Sequence, residues 1–104
     1  MWILSLPLFE IAVCFHQGWG IPKSIPAAIH FYKTAAGLGD PDAMYELGFL
    51  LLRGYHAKSW YERHHPEGIK EKMEAASWLR SAHGKGHTVV GESWIFQAKW
   101  GGTG

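Results

Sequence analysis

The residues of this chain that could do chemistry are few, and their spacing points away from catalysis. Gly84-Lys85-Gly86-His87-Thr88 loosely resembles a phosphate-cradling turn. A phosphate loop, however, needs a longer glycine-led turn ending in Gly-Lys-Ser/Thr, and that order is absent. The segment reads instead as one helix stopping and the next beginning. His56, His64 and His65 offer imidazole nitrogens to a metal. Adjacent histidines rarely converge on one ion, and no His-x-x-x-His pair or nearby thiolate completes a tetrahedral set. Cys14 is the single cysteine, so an internal disulfide and a multi-cysteine metal site are both excluded. Its neighbours Ala12, Val13 and Phe15 make it a small buried hydrophobe, compatible with the reducing cytoplasm. No Ser/His/Asp or Cys/His set falls on one surface. The expectation is a protein that is not an enzyme, with no catalytic residue, no cofactor and no metal.

Composition carries a second signal. The chain has 104 residues, among them six Trp, five Phe and four Tyr. Ten Lys and Arg against nine Asp and Glu leave a formal charge of +1. A nucleic-acid binder needs clustered basic excess, and a polybasic membrane anchor needs the same, so neither is expected. A hydrophobic share of 47% is too high for a disordered chain. A domain of this length buries only about 60–70% of its unfolded surface, so the rings must fill the core or wait for a partner. The apolar start from Met1 to Phe9 resembles a signal peptide but lacks a basic leader. Glu10 interrupts it too soon for a membrane span. The expected partner is therefore a protein or peptide segment, with no nucleic acid and no membrane insertion.

Internal repetition organises the chain. A shift of 36 places Glu10 on Glu46, Ile11 on Leu47, Ala12 on Gly48, Phe15 on Leu51 and Gly18 on Gly54. A shift of 47 places Ala28 on Ala75, Phe31 on Trp78, Lys33 on Arg80, Ala35 on Ala82 and Gly39 on Gly86. The difference, eleven residues, is an insertion between Gly54 and Ala75, and its Pro, Gly and charges predict a loop over about 55–68. Trp60, Tyr61 and Arg63 lie in that insertion.

Five helices are predicted. The first spans about Leu6 to Gln17. The second runs from about Pro26 to Ala36 with Ser24 as its cap and Ile29, Tyr32 and Ala36 on one face. The third runs from Asp40 to Arg53, where Asp40-Pro41 is a cap followed by a first-turn proline, with Ala43, Leu47, Leu50 and Leu51 buried. The fourth covers about Lys70 to His83 with Met73, Ala76, Leu79 and Ala82 inward, and the last about Thr88 to Trp100. Gly37 with Gly39, and Gly84 with Gly86, supply left-handed stops. Helical hairpins repeating at about 36 residues predict an all-α chain, an α/α superhelical solenoid. Repeat one covers about 8–43, repeat two about 44–90, and a half repeat about 88–100.

These residues resemble the Sel-1-like repeat family, relatives of the tetratricopeptide repeats. Ala43, Leu47, Gly48 and Gly54 match the first half of its pattern. Gly18-Trp19-Gly20-Ile21-Pro22-Lys23-Ser24 resembles the turn, and Ala28, Tyr32, Ala35, Ala36 and Gly39 the second helix, repeated in Ala75, Trp78, Ala82 and Gly86. Ser24 replaces the usual Asp and Leu51 the usual Tyr. Within the family, Cys14 to Lys23 and Val90 to Phe96 are most similar to fungal cytosolic members, mitosis-inhibitor-like and chitin-synthase-activator-like adaptors. The resemblance implies a cytoplasmic scaffold in cell-cycle, signalling or cell-wall control.

Stacked first helices of such a solenoid line its concave wall. Val13, Phe49 and Phe96 form one column there, flanked by Phe9, Tyr45 and Glu92 and by Gln17, Arg53 and Trp100. Along each helix the positions are four apart, so Phe9, Val13 and Gln17 share one stripe, as do Tyr45, Phe49 and Arg53, and Glu92, Phe96 and Trp100. The candidate partner-binding residues are thus Val13, Gln17, Tyr45, Phe49, Arg53 and Phe96. Terminal helices without polar outer faces also allow a second reading, a truncated fragment of a longer repeat array with no independent function that associates with further repeats. A small metal-binding or enzymatic domain ranks last.

Overall fold

Helix signals in the sequence account for the order of the elements. The computed structural model describes residues 6–88 and 93–103, and all their regular structure is helical. Helix α1 spans Leu8–Gln17, α2 Ile25–Gly37, α3 Pro41–His56, α4 Trp60–Arg63 and α5 Pro66–Gly84. Two 3-10 turns, Ser93–Phe96 and Ala98–Trp100, follow. Ser24 caps α2 by accepting from the Ala27 N–H at 3.3 Å. Asp40 caps α3 by accepting from the Asp42 and Ala43 N–H groups at 3.0 and 3.3 Å. Both caps satisfy amides that have no partner inside the helix.

The ends of α2 and α5 are built alike. The Asp40 N–H donates to the Ala35 carbonyl at 3.2 Å, and the His87 N–H donates to the Ala82 carbonyl at 3.0 Å. Gly39 and Gly86 hold φ of 96° and 88°, the left-handed conformation that such an ending requires. Gly37 and Gly84, read from sequence as part of the stop, remain helical instead.

The segment expected as a loop is mostly helical: α3 continues to His56, α4 follows, and α5 begins at Pro66 rather than near Lys70. Ser59 and Glu62 form a capping box that starts α4, which the Pro and Gly content concealed. Met73 is 40% exposed, because it lies nearly opposite Ala75 on α5, outside the crossing with α3. The predicted last helix is replaced by the two 3-10 turns. Gln97 between them is extended, which interrupts a continuous helix, and Arg80 of α5 donates to the Ile95 and Trp100 carbonyls on either side of it. The helices still number five among the described residues. The apolar start, expected in the first helix, lies outside the described residues as far as Ser5, and α1 begins after Pro7.

Among the described residues the core has one large centre and two smaller ones. Tyr32 and Leu47 sit in the first, among Ala12, Ala28, Ala35, Ala36 and Ala43. Leu79, Ala76 and Ile95 form the second, between α3, α5 and the 3-10 turns. The third is Ile11 and Cys14 of α1, with Phe15, Ile21 and Phe31 packed around them. Small residues set the helix distances. A Cβ on Gly48 would stand 2.6 Å from Leu79 Cγ and 3.2 Å from the Ala75 carbonyl. A Cβ on Gly68 would collide with the Glu62 carbonyl, so that glycine lets α4 lie against α5.

Two outcomes follow. Gly48→Val should lower unfolding free energy in urea by about 1–3 kcal/mol, the usual cost of overpacking. Tyr32 supplies the second. Burial first, and the nearby Glu46 carboxylate second, push its hydroxyl from 10.0 up to about 12. Its contribution to stability is therefore complete below pH 10 and lost as pH rises from about 10 to about 12, because only the unfolded chain ionises there. Urea midpoints should fall across that window, and the fall should be smaller in Tyr32→Phe.

Candidate protein-binding surface

The structure uses much of the predicted aromatic stripe for packing. Tyr45 and Phe49 are brought together on α3 with ring centroids 4.7 Å apart. Both lean on the Ala76, Leu79 and Ile95 cluster. Tyr45 also stacks on His87 at 4.2 Å, and His87 Nε2 stands 3.3 Å from Asp42. The residues that loosely resembled a phosphate loop thus close α5 against α3. Val13 packs on the large core centre around Tyr32 and Leu47, and Phe96 sets its ring nearly at right angles to His83. The column expected from Val13 through Phe49 to Phe96 is divided between separate packing sites. Gln17 and Arg53 are exposed near the C-terminal ends of α1 and α3, and Glu92 lies outside the described residues.

Trp100 joins a cage that the sequence reading missed. Lys72 Nζ stands 4.2 Å from the centre of Trp100, 5.0 Å from Tyr55 and 5.1 Å from Trp94. Ring faces attract a cation, so Lys72 ties α5 to the C-terminal turns. Burial, and then the like charge of Lys99, hold its ammonium below the usual lysine range. The signal available in the sequence was slight: three rings and a lysine distant in the chain, with no spacing rule to join them.

The exposed rings of α4 form a short ladder. Trp60 stacks on His64 at 4.3 Å, and Tyr61 meets His65 at 4.0 Å with the rings tilted by 50°. Each histidine Nδ1–H donates to the carbonyl four residues earlier, at 2.7 Å. A hydrogen bond from the Ser59 hydroxyl, then one from its backbone N–H, holds the Glu62 carboxyl below the usual carboxylate range. Among the described residues, no three His, Cys, Asp or Glu side chains group to hold a metal ion.

Two open grooves retain apolar surface. One, of about 400 Å³, lies on α1 between Leu6, Phe9, Val13 and Trp19, with Glu10 at its edge. The other, of about 350 Å³, runs between the start of α2 and the second half of α3. Ile25, Ile29, Leu50 and Leu51 form its floor, and Lys23 and Arg53 stand on its rim. Such clefts are the size of small ligand and peptide-anchor sites.

No protein-family model matches the chain, and no solved structure matches it. The mitosis inhibitor nif1 of Schizosaccharomyces pombe is 29% identical over 99 residues, covering 94% of this chain. Protein SHC1, from two strains of Saccharomyces cerevisiae, is 33% identical over 75 residues, covering 72% of this chain. The chain is similar to fungal proteins, one of them named as a regulator. It spans 13% of the length of each of these curated relatives. No helix of the described residues is long and apolar enough to cross a membrane.

The cage makes its own prediction. Lys72→Met should release the C-terminal turns and cost about 0.5–2 kcal/mol of stability, the range for a cation on aromatic faces. Faster amide exchange confined to residues 93–101 would register the release, and unchanged exchange there would refute the latch.

Proposed function

We propose that this chain is a non-catalytic helical interaction module, a scaffold or adaptor that binds a segment of a partner protein. Similarity to the mitosis inhibitor nif1 along 94% of the chain carries this reading, and it puts cell-cycle regulation first among the pathways. A cell-wall role rests on the Sel-1-like resemblance alone. A cytoplasmic location accords with the single buried thiol at Cys14.

The solenoid arrangement belongs to the same proposal. The hydrogen bonds ending α2 and α5 recur at the 47-residue shift, which supports a repeated hairpin unit. On α3, Glu46 stands near the Tyr32 hydroxyl and Leu50 packs beside it in the core. Their equivalents at the 36-residue shift, Glu10 and Cys14, border the open groove on α1. An α/α array would set the second helix of a further repeat there, as α2 sits on α3.

The adaptor reading predicts that a tagged chain in fungal extract recovers a discrete protein. Once purified, that protein should rebind the chain saturably in a titration. Recovery no greater than that of the urea-unfolded chain would overturn the reading.

A further inference from the structure

We infer that the groove between α2 and α3 docks an amphipathic protein segment whose apolar anchors are flanked by carboxylates. The inference rests on the adaptor reading for its assumption that the partner is a protein. Its own content is the chemistry of that partner.

The floor is formed from both helices. Ile25 and Ile29, one turn apart on α2, face Leu50 and Leu51 of α3 across a space of about 350 Å³. Only Leu50 among these four is counted with the core, while the other three are half-buried and keep apolar surface open to water. Apolar side chains presented on one face of a short helix or extended segment would cover that floor.

The rim supplies the charge selection. Glu71 is the one acidic side chain at this groove, and it is already spoken for. Its carboxylate pairs with Lys58 at 3.2 Å and lies across Gly54, where an added Cβ would stand 2.8 Å from Oε1. Lys23 and Arg53 are exposed and form no ion pair or side-chain hydrogen bond among the described residues. The groove therefore presents net positive charge around an apolar floor. Arg53 in particular offers the planar fork that matches a carboxylate. The open groove on α1 has the opposite character, with Glu10 as its charged residue. Two rim cations around a recess fit a flanked peptide better than a lipid surface, which draws on a broad cluster of basic residues.

Two labelled peptides test this directly, one with a Leu-Leu pair between glutamates and a twin with lysines in their place. Anisotropy titrations with the full chain should show tighter binding of the glutamate peptide by about tenfold, the scale of two rim ion pairs. Added salt should shrink the difference. The double variant Lys23→Glu/Arg53→Glu should reverse the preference, whereas Lys85→Glu, at the far end of α5, should keep it. Matched circular dichroism and urea midpoints would show that the variants fold.

Equal affinity for the two peptides, or a preference that survives the double reversal, overturns the inference. So does self-association in sedimentation that the reversal abolishes, or binding confined to phosphatidylserine vesicles. A partner recovered from extract that rebinds the double variant undiminished would overturn this groove while leaving the adaptor reading intact. Failure to recover any partner counts against the adaptor reading itself, whatever the peptides do.

Discussion

The close approach of α3 and α5 at Gly48 is the constraint on which the rest of the structure depends. No side chain fits there, because Leu79 and the Ala75 carbonyl already occupy the space. Contact at that distance fixes which face of α5 is buried and aligns Ala75, Ala76, Leu79 and Ala82 inward. With α5 so turned, Glu74 reaches Lys33 of α2 at 3.1 Å and Glu71 reaches across Gly54 to Lys58. Lys72 and Arg80 then face the C-terminal turns. One absent side chain thereby orders several interactions distant in sequence.

Aromatic residues are used here chiefly as mortar. Phe15 and Phe31 stack with centroids 5.5 Å apart between α1 and α2, and Phe9 meets Tyr32 at 5.7 Å. Tyr55, Trp94 and Trp100 surround Lys72, while Arg80 holds the backbone of the same turns. Rings that pack between elements bury large apolar areas and fix orientation through their edge-to-face preferences. The sites left for a partner are then determined by what packing does not consume. Among the described residues they include the two grooves and the rings of α4, where Trp60 and Tyr61 remain 66% and 67% exposed.

The docking surface proposed between α2 and α3 would derive its selectivity from a few charges around an apolar floor. Desolvated apolar contact supplies much of the affinity, and rim charges steer the approach and reject the wrong partner. Pairing Glu71 internally with Lys58 matters for that reason, since an unpaired carboxylate at the groove would cancel the attraction of Lys23 and Arg53.

Local signals in the sequence determined the all-helical character and those helix boundaries that carry a cap or a left-handed glycine. Ser24 and Asp40 with Pro41 announce the starts of α2 and α3, and Gly39 and Gly86 announce two ends, because capping is chemistry within one turn. The fates of Gly54 and Gly18, matched by the repeat, diverged for a tertiary reason. Gly18 ends α1 in the left-handed conformation, whereas Gly54 stays helical and makes room for Glu71. The candidate surface was less legible. Arg53 was identified by its place on a stripe, but Ile25, Ile29 and Lys23 lie on another element and reach it only through the packing of α2 on α3. Periodicity reports which face of a helix is apolar. Which apolar faces meet, and which remain open beside an unpaired charge, is decided by contacts between helices distant in sequence, and here above all by the distance that Gly48 permits.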